Sequence, residues 1–276
     1  MSVCKKCGVA TEGSQLCDDC YGKDVLRLAK LGAFHHKVMV ELQIDFNNKE
    51  GASKFWEYVT PRYLHRINAK SCLPWENGTK LVTEPSTWFG IENIIDWADI
   101  LSAASRFGGT ADSPKDGAEL GLFFSIDRSA MPESQWVVLP TILNYWRTPF
   151  VMACKGNHNR CKYEDDEGLD AYKDALYTHF VCESEVYDAV HFDEDWVKLR
   201  IFKSTLNPGE FEMFTKVAVA LFAFTSLCDV KITDPNKLYE KFFRYTLFSQ
   251  RDVFKYFNAC GSNDPQYDHQ AHHLKW

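Results

Sequence analysis

Four cysteines crowd the first twenty residues in two identical spacings. Cys4-Lys-Lys-Cys7 and Cys17-Asp-Asp-Cys20 are Cys-x-x-Cys turns with nine residues between them. Each such turn lets two thiolates face one ion at about 2.3 Å, and two turns complete a tetrahedral site. Gly8 directly follows the second cysteine, where a positive φ is commonly required, and Gly13 lies in the short polar return. A segment this small has no core of its own, so a bound metal is what can order it. The spacing predicts one structural Zn2+ held by Cys4, Cys7, Cys17 and Cys20.

In that cysteine order, residues 4–20 resemble the small zinc ribbons at the ends of many intracellular proteins. The resemblance covers about seventeen of the 276 residues and does not extend to the rest of the chain. Zinc ribbons occur in transcription factors, ribosomal proteins, polymerase subunits and enzymes, so the resemblance implies a metal without choosing an activity. Two roles stand side by side. The ion staples a terminus too small to fold alone, or the ribbon itself touches nucleic acid or a partner.

Behind this segment the composition is that of a globular body, 45% hydrophobic and 25% charged, with twenty Phe, twelve Tyr and eight Trp. The expected organisation is a ribbon over residues 1–22 and a single α+β domain over 23–276, with an internal loop near 107–118 and a helical C-terminal third. The net charge is −7. Twelve acids against two lysines between Cys161 and Trp196 account for −10 of it, which leaves the remainder at +3. The body is therefore mildly basic and carries one acidic segment. Met1 leads straight into Cys4 with no apolar leader, and the longest apolar run, Val217 to Phe224, is far short of the roughly 20 residues that span a bilayer. The reading is a chain that is not secreted, sits in the cytoplasm or another reducing compartment, and has no membrane partner.

Val38, Val40, Leu42 and Ile44 alternate with Lys37, Met39, Glu41, Gln43 and Asp45, the period of a half-buried strand over 36–46. A short helix over 23–33 precedes it. After a helical stretch, Thr60 as N-cap and Pro61 as N1 predict a second helix to about Lys70. Residues 71–90 read as a loop. Ile91, Ile94, Ile95, Ala98, Leu101 and Ala104 form a helical stripe that Gly108-Gly109 stops. Leu120–Ile126, Gln135–Leu139 and Trp196–Phe202 read as strands, and 167–179 as a helix. Asn207-Pro208-Gly209 starts a helix that is apolar on nearly every face from Val217 to Leu227, hence central. Asp234-Pro235 starts the last helical stretch, which Gly261 ends before a tail.

Three groups of residues carry candidate chemistry. Lys54, Arg62, Arg66 and Lys70 are interleaved with Trp56, Tyr58, Tyr63 and His65, and Glu57 is the one acid among them. Cations for phosphates and rings for stacking are what nucleic-acid grooves combine. Arg62 and Arg66 would share a face of the helix after Pro61. The alternative is an amphipathic helix with core rings and solvated cations. A second metal cluster is suggested by Cys154, His158 and Cys161, with Cys182 or His191 as a fourth ligand; the alternative is a surface loop with partly buried thiols. His269, His272 and His273 in the tail read as solvated. Asp45 and Asp127 each end a strand, as in sites that hold Mg2+ for phosphodiester chemistry, with Asp193, Glu194 or Asp195 as a third ligand. Strand-end Asp also simply begins turns.

Phosphate-binding glycine loops, a Gly-x-Ser-x-Gly elbow and a His-Glu-x-x-His pair are all missing from the sequence. The leading expectation is a zinc-containing, non-enzymatic accessory factor that binds DNA or RNA, single-stranded in preference to duplex, or joins a nucleoprotein machine. Its interface would be Lys54, Trp56, Arg62, Tyr63, Arg66 and Lys70. The alternatives are a Mg2+-dependent enzyme acting on phosphodiesters through Asp45 and Asp127, and a viral or accessory regulator that engages a basic protein through segment 161–196.

Overall fold

The computed structural model describes residues 2–3, 10–11, 36–63, 66–70, 78–88, 91, 95–112, 120–145, 150, 153–154, 189–228 and 235–261. Two strand residues, β1 (Ser2–Val3), pair antiparallel with β2 (Ala10–Thr11) at the N-terminus. The body is built on a seven-stranded sheet of β3 (Val38–Phe46), β4 (Ile67–Lys70), β5 (Gly78–Thr83), β6 (Gly109–Thr110), β7 (Gly121–Asp127), β8 (Val190–Phe192) and β9 (Trp196–Lys203). Its order is β4-β5-β3-β7-β9-β8, with β6 also against β3, and every pair is antiparallel. The mixed α+β class holds.

The alternating pattern of β3 does what its period requires. Val38, Val40, Leu42 and Ile44 are fully buried on one face of the sheet, and the register aligns Leu81, Leu122, Phe124, Ile126, Val197 and Leu199 with them. Against this face lie α1 (Lys49–Tyr63), α2 (Trp97–Arg106) and α5 (Pro208–Leu227). Phe46 meets Phe55 of α1 at 5.3 Å between centroids, Phe202 meets Phe214 of α5 at 5.3 Å, and Trp88 lies between Phe124 and Phe222. Helix α5 begins as expected, with the Asn207 side chain accepting from Glu210 N at 3.1 Å and Pro208 in the first turn. Its far side supports a third layer of α4 (Val138–Tyr145), α6 (Pro235–Ser249) and α7 (Arg251–Gly261). There Phe224 meets Phe242 and Tyr245, and Phe150 meets Phe242 and Phe257. A helix covered on both sides is apolar all round. Each such Phe contributes up to about 1.5–3 kcal/mol on burial.

Three expectations are corrected. Helix α1 does not break at Thr60-Pro61: it runs unbroken to Tyr63 with Pro61 in its last turns. Proline removes one hydrogen bond there, to the carbonyl of exposed Glu57, where water can take its place. Arg66 N then donates to Tyr63 O at 2.8 Å, and 67–70 form a strand instead of a second helix. Within the expected loop 71–90, β5 pairs with both β3 and β4. Its inward positions Thr79 and Thr83 are only 1% and 2% exposed, and Val40 N donates to Thr83 Oγ1. The expected strand 135–139 is helical instead, split between α3 (Glu133–Trp136) and α4. The Gly stop after α2 is confirmed: Gly108 has φ +81°, which a Cβ disfavours. Of the expected loop 107–118, Gly109–Thr110 add a short strand to β3. The expected helices 23–33 and 167–179 lie outside the described residues.

Candidate nucleic-acid interface

Lys54, Tyr58 and Arg62 recur at four-residue intervals on α1 and so form one stripe. Arg62 lays its guanidinium 3.7 Å from the Tyr58 ring centroid and donates from Nη1 to Tyr58 O at 2.7 Å. Arg106, the last residue of α2, reaches the same ring at 4.8 Å and the Phe107 ring at 4.8 Å. The Tyr58 and Phe107 rings are 6.1 Å apart. Two guanidinium groups from two helices therefore converge on one half-buried tyrosine, and both arginines are exposed. Such stacks hold planar cations at a surface where phosphates can reach them.

The close approach of the two helices rests on Gly51, where an added Cβ would stand 2.3 Å from Phe107 O. It also rests on Asp99, which accepts from Tyr58 Oη at 2.6 Å and from Tyr63 Oη at 3.3 Å. Burial and the neighbouring Asp99 charge push the Tyr63 phenol up to about 12. Asp96 N-caps α2 by accepting from Asp99 N, which orients the first turn.

The remaining expected interface residues are more dispersed. Lys54 is ion-paired with Glu50 at 2.6 Å, both well exposed. Trp56 is partly buried against the core, 5.6 Å from Phe55. Arg66 is exposed but lies beyond the end of α1, so it does not share a helix face with Arg62. Lys70 pairs in register with Lys80 on the edge strand β4. His65 lies outside the described residues. Arg106, Phe107 and Asp99 were not expected here: they stand some forty positions downstream, where no local pattern ties them to Tyr58.

Asp45 and Asp127 do not meet. Asp127 N donates to Lys37 O, while Asp45 pairs with Gly78 and Thr110 at the other end of β3. Eight residues of strand at ~3.3 Å each put the two roughly 26 Å apart. Asp127 instead caps the turn that follows it, accepting from Ser129 N at 2.9 Å and Ser129 Oγ at 2.6 Å, and these bonds hold its carboxyl below the usual range. Asp193 does the same for the β8–β9 hairpin, accepting from Asp195 N and Trp196 N. Asp45 is 5% exposed, and its Oδ1 has no hydrogen-bond partner among the described residues.

Cys4, Cys7, Cys17 and Cys20 lie outside the described residues, as do His158, Cys161, Cys182 and the tail histidines. Strands β1 and β2 pair Val3 with Ala10, on either side of the stretch that carries Cys4 and Cys7. Cys154 is fully buried among apolar side chains, and His191 lies on β8 opposite Lys198. Among the described residues no three His, Cys, Asp or Glu side chains are grouped to hold a metal ion, and no helix is long and apolar enough to cross a membrane. Segment 161–188 is likewise outside the described residues.

The chain matches no known protein-family model and no curated protein sequence.

Proposed function

We propose that this chain is a non-enzymatic, zinc-containing accessory protein that binds single-stranded nucleic acid along α1 and the end of α2. The observation that carries the reading is the convergence of Arg62 and Arg106 on Tyr58. A duplex is read by an element that enters a groove, whereas this site offers planar guanidinium groups stacked on a ring at a surface, which suits splayed bases and a single backbone. Lys54 lies one turn before Tyr58 on the same helix, where Glu50 shares its charge, and Arg66 is a further exposed cation beyond the end of α1. Structural Zn2+ at Cys4, Cys7, Cys17 and Cys20 belongs to the same reading, supported by the Val3–Ala10 pairing that brackets the first Cys-x-x-Cys turn. A reducing compartment suits thiolate ligands.

The test is fluorescence anisotropy of a labelled dT15 oligonucleotide across a salt series. Expected is binding whose log K falls with log salt at about −0.7 per phosphate neutralised. The double variant Arg62→Glu, Arg106→Glu should bind at least tenfold more weakly, with a shallower slope and unchanged circular dichroism. Binding that ignores salt, or that this folded variant retains in full, defeats the proposal.

A further inference from the structure

The helices cover one face of the sheet, and the register assigns a different set of side chains to the other. Glu41 of β3, Lys80 of β5, Phe123 of β7, and Lys198 and Arg200 of β9 all belong to that second face. Lys80 Nζ lies 2.8 Å from Glu41 Oε1, and Lys198 Nζ lies 3.3 Å from Glu41 Oε2. Lys198 and Arg200 also lean over the Phe123 ring, at 5.9 Å and 5.0 Å. Three strand spacings of ~4.8 Å separate β5 from β9, so both lysines reach inward to share one carboxylate.

One ammonium would neutralise Glu41. The second leaves the triad with a net positive charge. Solvent meets that charge unevenly, because the lysine side chains are 26% and 24% exposed and the Glu41 side chain only 9%. Each ammonium has three N–H donors and gives one direction to Glu41. What faces outward is therefore a pair of ammonium groups with donors to spare, each tied to a different oxygen of one carboxylate. Two cations gathered on one carboxylate can both donate to the non-bridging oxygens of a phosphodiester. Half-exposed Trp196 and His191 sit on the same face nearby and offer rings to adjacent bases.

We propose that this second sheet face is a further phosphate-binding surface for the single strand, in which Glu41 holds Lys80 and Lys198 in position and restrains their affinity for the backbone. The inference rests on the nucleic-acid reading above and deepens it. A lysine pair that served only to hold the sheet together would not make the carboxylate an antagonist of binding.

The experiment is the same dT15 titration with Glu41→Gln and with the double variant Lys80→Gln, Lys198→Gln. Expected is three- to tenfold tighter binding with a steeper salt slope for Glu41→Gln, and a loss of similar size for the lysine variant. Both folds are checked by circular dichroism. Should Glu41→Gln fail to fold, the lysine variant decides alone, since its side chains already reach solvent. Unchanged affinity in the folded variants, together with the expected loss in Arg62→Glu, Arg106→Glu, overturns the second surface and leaves the first standing. Absence of dT15 binding by the unaltered chain overturns both.

Discussion

The Tyr58 hydroxyl donates to Asp99 Oδ1 at 2.6 Å while Tyr63 reaches Oδ2 of the same carboxylate at 3.3 Å. A single side chain of α2 thus gathers two phenols of α1 and fixes the helix pair that presents Arg62 and Arg106. Burial and the Asp99 charge both disfavour a phenolate, so Tyr63 ionises at about 12 instead of near 10. A raised value means the folded state keeps its proton longer than the unfolded chain. The associated stability is therefore whole below pH 10 and is lost as pH rises from there through about 12. The difference in 295 nm titration between the unaltered chain and Tyr63→Phe should isolate a phenol with a midpoint near 12. In Asp99→Asn that midpoint should fall toward 10. A difference curve centred at 10 in the unaltered chain would show that Tyr63 is neither buried nor beside Asp99.

Gly51 sets two effects of opposite sign against each other. By helix propensity alone, Gly51→Ala would stabilise α1 by up to about 1 kcal/mol. The added methyl would stand 2.3 Å from Phe107 O, a backbone atom that cannot swing aside. Overpacking of that kind costs typically 1–3 kcal/mol, so the contact wins. Expected is a lower midpoint of urea unfolding and weaker dT15 binding, because α2 and Arg106 must retreat from Tyr58. A variant as stable as the parent would mean the helices do not approach this closely.

What the sequence revealed and what it concealed follow the same physics. Strand β3 was legible because aliphatic residues alternate with polar ones along it, and α5 because Asn207-Pro208 announces its start and its run is apolar on every side. Strand β5 was not legible, because two of its three inward positions are Thr79 and Thr83, which read as polar until their hydroxyls find partners such as Val40 N. Trp136 to Leu139 is a short apolar run, and such a run is compatible with a buried strand or a buried helix. In the site, the mixture of cations and rings between Lys54 and Lys70 was legible, but the Lys54–Tyr58–Arg62 stripe exists only because α1 runs through Pro61. Arg106 and Asp99 join it only through the packing of α2, and Arg66 was misplaced because Pro61 read as the start of a helix when it lies within one.

Asp127 caps the turn that follows β7, and acid should expose that task. Its carboxylate accepts two bonds from Ser129 and is held below its ordinary value, so the contribution is present above about pH 4 and fades as pH falls through the lowered value. Asp127→Ala should cost about 1 kcal/mol at neutral pH, the size of a lost side-chain cap. It should also make unfolding less steeply dependent on pH below about 4. Loss of a Mg2+-dependent nuclease activity in this variant, with unchanged stability, would instead revive a catalytic role for it.

Zinc should be separable from the body of the fold. The buried core that the described residues form runs from Val38 to Phe257. Metal analysis is expected to find one zinc per chain, and none in Cys17→Ser. Thiolate ligands must lose their protons to bind, so zinc should leave as pH falls toward 5. Chelation should therefore release the metal while the thermal midpoint of the body moves by no more than a few degrees. In the same experiment dT15 affinity distinguishes the two roles of the ribbon. Unchanged affinity after chelation assigns the ion to holding the terminus, and a fall of tenfold or more makes the ribbon part of the interface. A collapse of the whole melting transition on zinc removal would contradict both, because it would place the metal at the foundation of the fold and not at its edge.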